Sequence, residues 1–438
     1  MSIDAYLRPI NHSETLLINE RSDQLAASRQ VYRFGFGQSP FPVPAGVTEL
    51  LRLHAQEKAY LPVQGLRSLR EAVAGFHRQQ DSVDWQPERV LVGPGSKLLI
   101  YAVMAAFTRA EVLLVSPSWV SYEPQARLAG HRVSRLQADA ASEWRLTPEM
   151  LEAFCLTRED PELPLLLVLN YPGNPSGTTY SEAQLQALAE VMRRHQVLVI
   201  SDEIYGMLHH QGAHRSLARY YPEGTLVTGG LSKWCGAGGW RLGVLHVPQT
   251  LADNLLPRLL GVASETWSCV AAPIQQAAVE AYRFGPEVEA YVQRERQILS
   301  ALGRQAAALL NEAGVLTAQP EGGFYLFPDF APWREALAAA GITTSDQLCG
   351  RLLQEAGVAL LPGTAFGMPE DELVARLSYV NFDGAAALQA DEAELAQILR
   401  PVLDGLPVGN CPDWRWKCTI WWGISVPDQP GSSILRST

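Results

Sequence analysis

The chain has 438 residues, 47% of them hydrophobic, and carries 46 acidic against 35 basic side chains for a formal charge of −11. That length allows two or three domains and that apolar content a large core, which excludes a disordered chain. The acidic balance, with no basic stripe, excludes the electrostatic footprint of a nucleic-acid binder, and no uncharged apolar run reaches the roughly 18 residues of a membrane span.

The opening MSIDAYLRPINHSETLL has no apolar h-region, so no signal peptide is expected. The first 45 residues hold a polar helix and then FGFGQSPFPVP, a Pro/Gly stretch that reads as a connector rather than a core element. Over 46–285, strand-like apolar runs alternate with amphipathic stretches: RVLVG (89–93), EVLLVS (111–116), LPLLLVLN (163–170), QVLVIS (196–201) and TLVTGGLS (225–232). A helix is predicted over 181–195, with Ser181 as its N-cap. Strand, helix, strand at this spacing predicts an α/β domain with a mostly parallel, buried sheet, whose ligands bind at the carboxyl ends of the strands. Beyond Tyr282 comes a helical pattern at 286–313, then the Gly-bounded GVLTAQPEGGFYLFPDF and the strand ARLSYVNF (375–382), which reads as a smaller α+β domain over 286–407. The tail, 408–438, holds four of the eleven tryptophans; WRWKCTIWW (414–422) alternates with the period of an extended strand, and the domain pattern is complete without it. It is expected to be a dispensable or foreign extension. The six cysteines, Cys155, Cys235, Cys269, Cys349, Cys411 and Cys418, form no CxxC pair and no zinc spacing, so reduced thiols in a cytoplasmic protein without a metal site are expected.

Three segments carry chemistry. In TGGLSKWCGAGGWRLGV, Ser232 and Lys233 follow a strand-like run and Arg241 lies among glycines. A lysine at a buried strand end loses hydration, its pKa falls, and the free amine is able to form a Schiff base. Ser232 and Arg241 suit a phosphate, although a surface Lys and Arg in a flexible loop would read alike. In SDEIYGML, Asp202 suits a position under a pyridine nitrogen, which it keeps protonated as an electron sink, and Tyr205 suits the ring hydroxyl; an ordinary helix N-cap is the plain alternative. In NYPGNPSGT, the Asn174 amide suits the same ring oxygen, or simply a tight turn.

With these segments in this order, the sequence resembles the class I/II aminotransferases, aspartate aminotransferase-like enzymes of fold type I. NPSG, SDEIY and SKWCGAGGWRLG stand where that family has its fingerprint motifs, and the likeness runs from about residue 6 to about 405. The resemblance implies a large domain with a mostly parallel seven-stranded sheet beside a smaller α+β domain. It also implies pyridoxal 5′-phosphate held by Lys233 as a Schiff base, with the freed lysine as general base. YLPVQGLRSLREAVAGF implies that Tyr60 reaches the cofactor phosphate of the partner subunit, hence a homodimer with shared active sites. VGPGSKLLIY resembles the phosphate cradle, with backbone N–H groups of Gly95, Ser96 and Lys97 at a helix start. SPSWVSYEP places Trp119 on the pyridine ring, and EGGFYLF supplies pocket aromatics. ARLSYVNF puts Arg376 on the substrate α-carboxylate, which Gly37 of the connector also approaches; Gln38 stands where the usual connector has a glutamate.

Asn174, Trp119 and Lys97 are implied to border the substrate as well. The lysine aligned with Lys97 contacts a distal carboxylate in the bacterial subgroup, a lean toward aspartate or glutamate. Glu265 and Trp267, in ASETWSCVAAP, depart from the family text and leave aromatic, methionine-like or cationic amino acids open. Two other classes compete: another reaction on the same scaffold (a lyase, decarboxylase or amino-acid oxidase), and a non-catalytic regulator, for which a helix-turn-helix module is lacking.

Overall fold

The structure is a computed structural model that describes residues 14–407. The predicted tail strand, with Cys411 and Cys418, lies outside the described residues.

The strands, in chain order, are β1 (Tyr32–Arg33), β2 (Val90–Gly93), β3 (Glu111–Ser116), β4 (Arg132–Gln137), β5 (Leu165–Asn170), β6 (Leu198–Asp202), β7 (Thr225–Gly230), β8 (Gly243–His246), β9 (Tyr325–Leu326), β10 (Val358–Ala359), β11 (Leu361–Pro362) and β12 (Ala375–Ser378). Seven of them form one sheet in the order β2-β8-β7-β6-β5-β3-β4, in which β8 alone runs antiparallel. The predicted mostly parallel sheet is therefore present, and each of the five predicted runs supplies one of its strands. Both faces are covered. In β5, Leu165, Leu167 and Leu169 enter one apolar cluster and Leu166 and Val168 another, the period-two division of a strand buried on both sides.

Two strands of this sheet escape the sequence pattern. β4 reads RVSRLQ, with Val133 and Leu136 as its apolar residues; it lies at the sheet edge, where charged side chains discourage pairing with another chain. β8 is four residues of the glycine-rich stretch that follows Lys233.

The helix after β5 spans Glu182–Arg194. Ser181 Oγ accepts from the Gln184 N–H, and the Gln184 side chain accepts from the Ser181 N–H, a complete capping box. The long helix Pro286–Glu312 opens on Gly285 with Pro286 in its first turn and buries Val292, Ile298, Leu302 and Leu310. Antiparallel β11-β12-β9 sets Ser378 opposite Tyr325, and parallel β1-β10 ties the N-terminal segment to residues 358–359. The stretch read as a connector does more than connect: Phe34 and Phe41 are buried in the largest apolar cluster, because an extended Pro/Gly segment still directs aromatic side chains inward. No helix among the described residues is long and apolar enough to cross a membrane.

Removing the cap hydroxyl with Ser181→Ala should cost about 1 kcal/mol. Chemical denaturation of the mutant against wild type checks this, and coincident transitions would show that the box contributes nothing.

Candidate active site

Parallel strands direct their carboxyl ends to one edge of the sheet, and the candidate residues gather there. Asn170 ends β5, Asp202 ends β6, and Lys233 lies three residues past the end of β7. They open on a cavity of about 600 Å³, also lined by Gly37, Ser96, Lys97, Trp119, Asn174, Tyr205, Ser232, Arg241 and Arg376. Of the residues that the sequence assigns to the cofactor or the substrate, all but Gly95 and Tyr60 line this space. Gly95 lies directly behind it, and Tyr60 is 90% exposed on the surface.

Lys233 Nζ donates to the Gly37 carbonyl at 2.7 Å and lies 5.5 Å from the ring centres of Tyr205 and Phe324. Desolvation, reinforced by the positive charge of Arg376, lowers its pKa to about 7, and Asp202 offsets only part of that. A substantial fraction of the amine is thus neutral and nucleophilic near neutral pH. Asp202 is buried, and desolvation raises its pKa to about 6 against three donors that favour the carboxylate. These are Tyr122 Oη at 2.7 Å to Oδ2, and Thr228 Oγ1 at 3.3 Å and the Ile204 N–H at 3.4 Å to Oδ1. The sequence quotes Tyr122 inside SPSWVSYEP without singling it out; only the fold brings that hydroxyl to the carboxylate.

Tyr205 Oη shares a hydrogen bond of 2.9 Å with Tyr325 Oη. A Cβ at Gly37 would stand 1.9 Å from that same Tyr325 oxygen, so position 37 has to be glycine for the carbonyl to reach Lys233. Arg376 is fully buried. Its Nη1 donates to Asn174 Oδ1 at 2.9 Å and its Nη2 to the Gly35 carbonyl at 2.6 Å, while Nε has no partner. Asn174 Oδ1 is thereby engaged and its Nδ2 remains a donor. Lys97 Nζ lies 5.0 Å above the Trp119 ring, its pKa lowered by desolvation and by Arg241.

The cradle departs from expectation at one atom. The Gly95 N–H donates to the Gly93 carbonyl at 2.7 Å, so it is already taken; the first-turn N–H groups of Ser96 and Lys97, which have no intrahelical acceptor, remain for an anion. Gly95 contributes by lacking a side chain. It takes a left-handed φ of 85°, and a Cβ there would stand 2.2 Å from Arg241 Nη2. Arg241 donates to the Gly238 carbonyl at 2.8 Å and the Pro94 carbonyl at 3.3 Å, bridging the two glycine loops with N–H groups to spare. Gly243, which the sequence does not single out, completes the arrangement: a Cβ there would lie 2.5 Å from both Gly95 C and Ser96 N. Glu265 is exposed and Trp267 half-buried at the end of the helix Gln249–Thr266, and neither lines the cavity within one chain.

A lysine with a pKa lowered to about 7, a buried acid with three donors, a guanidinium with an unpartnered Nε and a glycine-lined helix start thus meet at one edge of the sheet. Residues 29–386 match the family "Aminotransferase class I and II", and the chain belongs to that family. It is 32% identical to the aspartate aminotransferase of Geobacillus stearothermophilus over 411 residues, covering 91% of this chain and 98% of the relative. The aspartate/prephenate aminotransferase of Cereibacter sphaeroides is 31% identical, with 86% and 94% covered. The aspartate aminotransferase of Thermus thermophilus with maleate superposes with a TM-score of 0.78 at 27% identity, covering 91% of this chain and 98% of that one. The chain is accordingly an aminotransferase of a family that works with pyridoxal phosphate.

Two substitutions probe the geometry. Tyr122→Phe deletes the strongest donor to Asp202, so the Asp202 pKa should rise and the carboxylate lose its charge at higher pH. The acid limb of the pH–rate profile should move up by about one unit, as expected for a hydrogen bond to a charged group; an unmoved limb would show that Tyr122 does not act on Asp202. Gly243→Ala should push the Gly95–Ser96 turn outward and weaken cofactor binding by about tenfold or more. Equilibrium dialysis of the cofactor measures this, and wild-type affinity would refute the close-approach argument.

Proposed function

We propose that the protein transfers the amino group of an L-amino acid to a 2-oxo acid, with aspartate or glutamate as the favoured donor. The observation that carries this reading is Arg376, buried, stacked against Tyr325 and Phe366, and left with an unpartnered Nε in the cavity wall near Lys233. A planar guanidinium so held suits the α-carboxylate of an amino acid.

Each residue then has a task. With Arg241 assigned to the cofactor phosphate, Arg376 and Lys97 remain as cations facing the substrate, against Asp202 as the one acid lining the cavity among the described residues, which favours a dicarboxylic substrate; the relatives named for aspartate agree. Lys97 would meet the distal carboxylate. Ser232, Arg241 and the N–H groups of Ser96 and Lys97 would hold the cofactor phosphate, Trp119 would cover its ring, Asp202 would face the ring nitrogen, and Tyr205 and Asn174 the ring hydroxyl. The bound cofactor supplies the electron sink. Lys233, with a pKa of about 7 that leaves a substantial fraction of its amine neutral near pH 7, would take the proton from the substrate Cα and return it two atoms along, a 1,3-shift. Tyr60, solvent-exposed in a single chain, fits a homodimer in which it reaches the partner's phosphate site. The large domain would span 46–285 and the smaller one 286–407, after an arm over 1–45.

Lys233→Ala should abolish the visible absorbance of the lysine-bound cofactor and nearly all turnover. In wild type, keto-acid release from aspartate or glutamate beyond one equivalent per active site should require an added 2-oxo acid; continued turnover without an acceptor would assign the site to a lyase, decarboxylase or oxidase instead. Lys97→Ala should raise KM for both acidic donors by about 10- to 100-fold and spare alanine, and an unchanged KM would overturn the acidic preference.

A further inference from the structure

A second cavity, of about 740 Å³, is walled by the same two segments as the first: Tyr205 and Tyr325 face the first space, and His209, His210, Pro320 and Glu321 face the second. Arg145, Arg215 and Arg304 line it against two carboxylates, Glu182 and Glu321. Glu321 is committed, accepting from Arg145 Nη2 at 2.5 Å and the Thr179 N–H at 2.8 Å. Arg215 donates only to the His214 carbonyl, at 2.9 Å, and neither Arg215 nor Arg304 has a carboxylate partner among the described residues. Guanidiniums without counter-ions in a concave space are what a bound anion requires.

The two histidines add a donor and a sensor. His209 Nδ1 accepts from the N–H groups of Gln211 at 3.1 Å and Ala213 at 3.4 Å, so its proton sits on Nε2. Burial, with the nearby charges of His214, His210, Arg296 and Arg215, holds its pKa down at about 4, leaving a neutral donor at neutral pH. His210 is placed between two acceptors, with Nδ1 3.0 Å from the Pro320 carbonyl and Nε2 3.2 Å from that of Gly323. A neutral ring satisfies one of them; an imidazolium satisfies both. Desolvation keeps His210 below its ordinary pKa, helped by the charge of Arg304 and opposed by both carbonyls and Glu321; Tyr379 Oη, 3.5 Å from Nε2, also faces it.

We propose that this second cavity binds a small, multiply charged oxyanion of the phosphoryl type, held by Arg215 and Arg304 with His209 donating from Nε2. An anion beside Arg304 cancels the repulsion that opposes protonation of His210. His210 then takes up a proton and donates to both Pro320 and Gly323, fastening the segment that leads to Tyr325. Binding is therefore coupled to proton uptake and weakens as pH rises.

The test is calorimetric titration of the holoenzyme, whose cofactor fills its own phosphate site, with sodium sulfate near neutral pH. Chloride fixes the ionic strength, and two buffers of different ionisation heat report proton movement. Sulfate does not titrate near neutrality, so any proton uptake belongs to the protein. Saturable sulfate binding should weaken about tenfold or more in Arg304→Gln and in Arg215→Gln, with the cofactor absorbance unchanged. Inorganic phosphate should compete with sulfate, and proton uptake should vanish in His210→Gln. Absence of saturable binding, or equal affinity in both arginine variants, overturns the site; proton uptake that persists in His210→Gln overturns the role of His210.

Discussion

The site depends on one electrostatic imbalance. Lys233 shares its cavity with Arg376, Arg241 and Lys97, and among the described residues Asp202 is the one carboxylate lining it. Burial strips the lysine of hydration, the neighbouring cations add to the cost of its charge, and the lysine is the group able to shed its proton. The fold sustains the imbalance by fastening three of the other four members. Arg376 is pinned by Asn174 and the Gly35 carbonyl, Arg241 by two backbone carbonyls, and Asp202 by Tyr122 and Thr228. With these neighbours held in place, a substantial fraction of Lys233 is the free amine near neutral pH.

Holding those groups so close requires backbone to meet backbone without side chains between. Gly243 lies against the Gly95–Ser96 turn, Gly95 against the Arg241 guanidinium, and Gly37 against Tyr325. These contacts join β8, the start of the helix Ser96–Ala105, the connector and β9. The antiparallel β8 matters here: its first residue, Gly243, is in register with Gly230 at the carboxyl end of β7 and with Gly93 at the carboxyl end of β2, so the return strand begins at the edge of the sheet where the site is built.

This division explains what the sequence made legible. The five runs read as strands because both faces of the sheet are covered and each run is predominantly free of charge and rich in aliphatic residues. β4 did not, because an edge strand needs only Val133 and Leu136 inside and carries Arg132 and Arg135 for other contacts. The site residues were legible by type and order, since Lys233, Asp202, Asn174 and Arg376 stand in dense motifs. What lay hidden were relations between distant segments. Tyr122 and Asp202 are 80 residues apart in sequence, and nothing local to either indicates the bond between them. The occupied N–H of Gly95 was likewise invisible, because VGPGS reads as an open cradle whether or not its backbone folds back on Gly93.

The same economy of shared walls links the two cavities. Residues 205–210 and 320–325 are stitched together by the antiparallel bridge of His209 with Gly322, by the Gly323 N–H donating to the Leu208 carbonyl at 3.1 Å, and by the Tyr205–Tyr325 hydroxyl pair. Glycine at 323 takes a left-handed φ of 64°, which turns the chain so that Tyr325 faces the site while Glu321 faces Arg145. A charge placed behind this double layer therefore acts on the Tyr205–Tyr325 pair through a short, hydrogen-bonded span rather than through flexible loop. Interiors packed this closely transmit a displacement instead of absorbing it. The wall that shapes the lysine's pocket is, on its other face, the wall that Arg145, Arg215 and Arg304 surround.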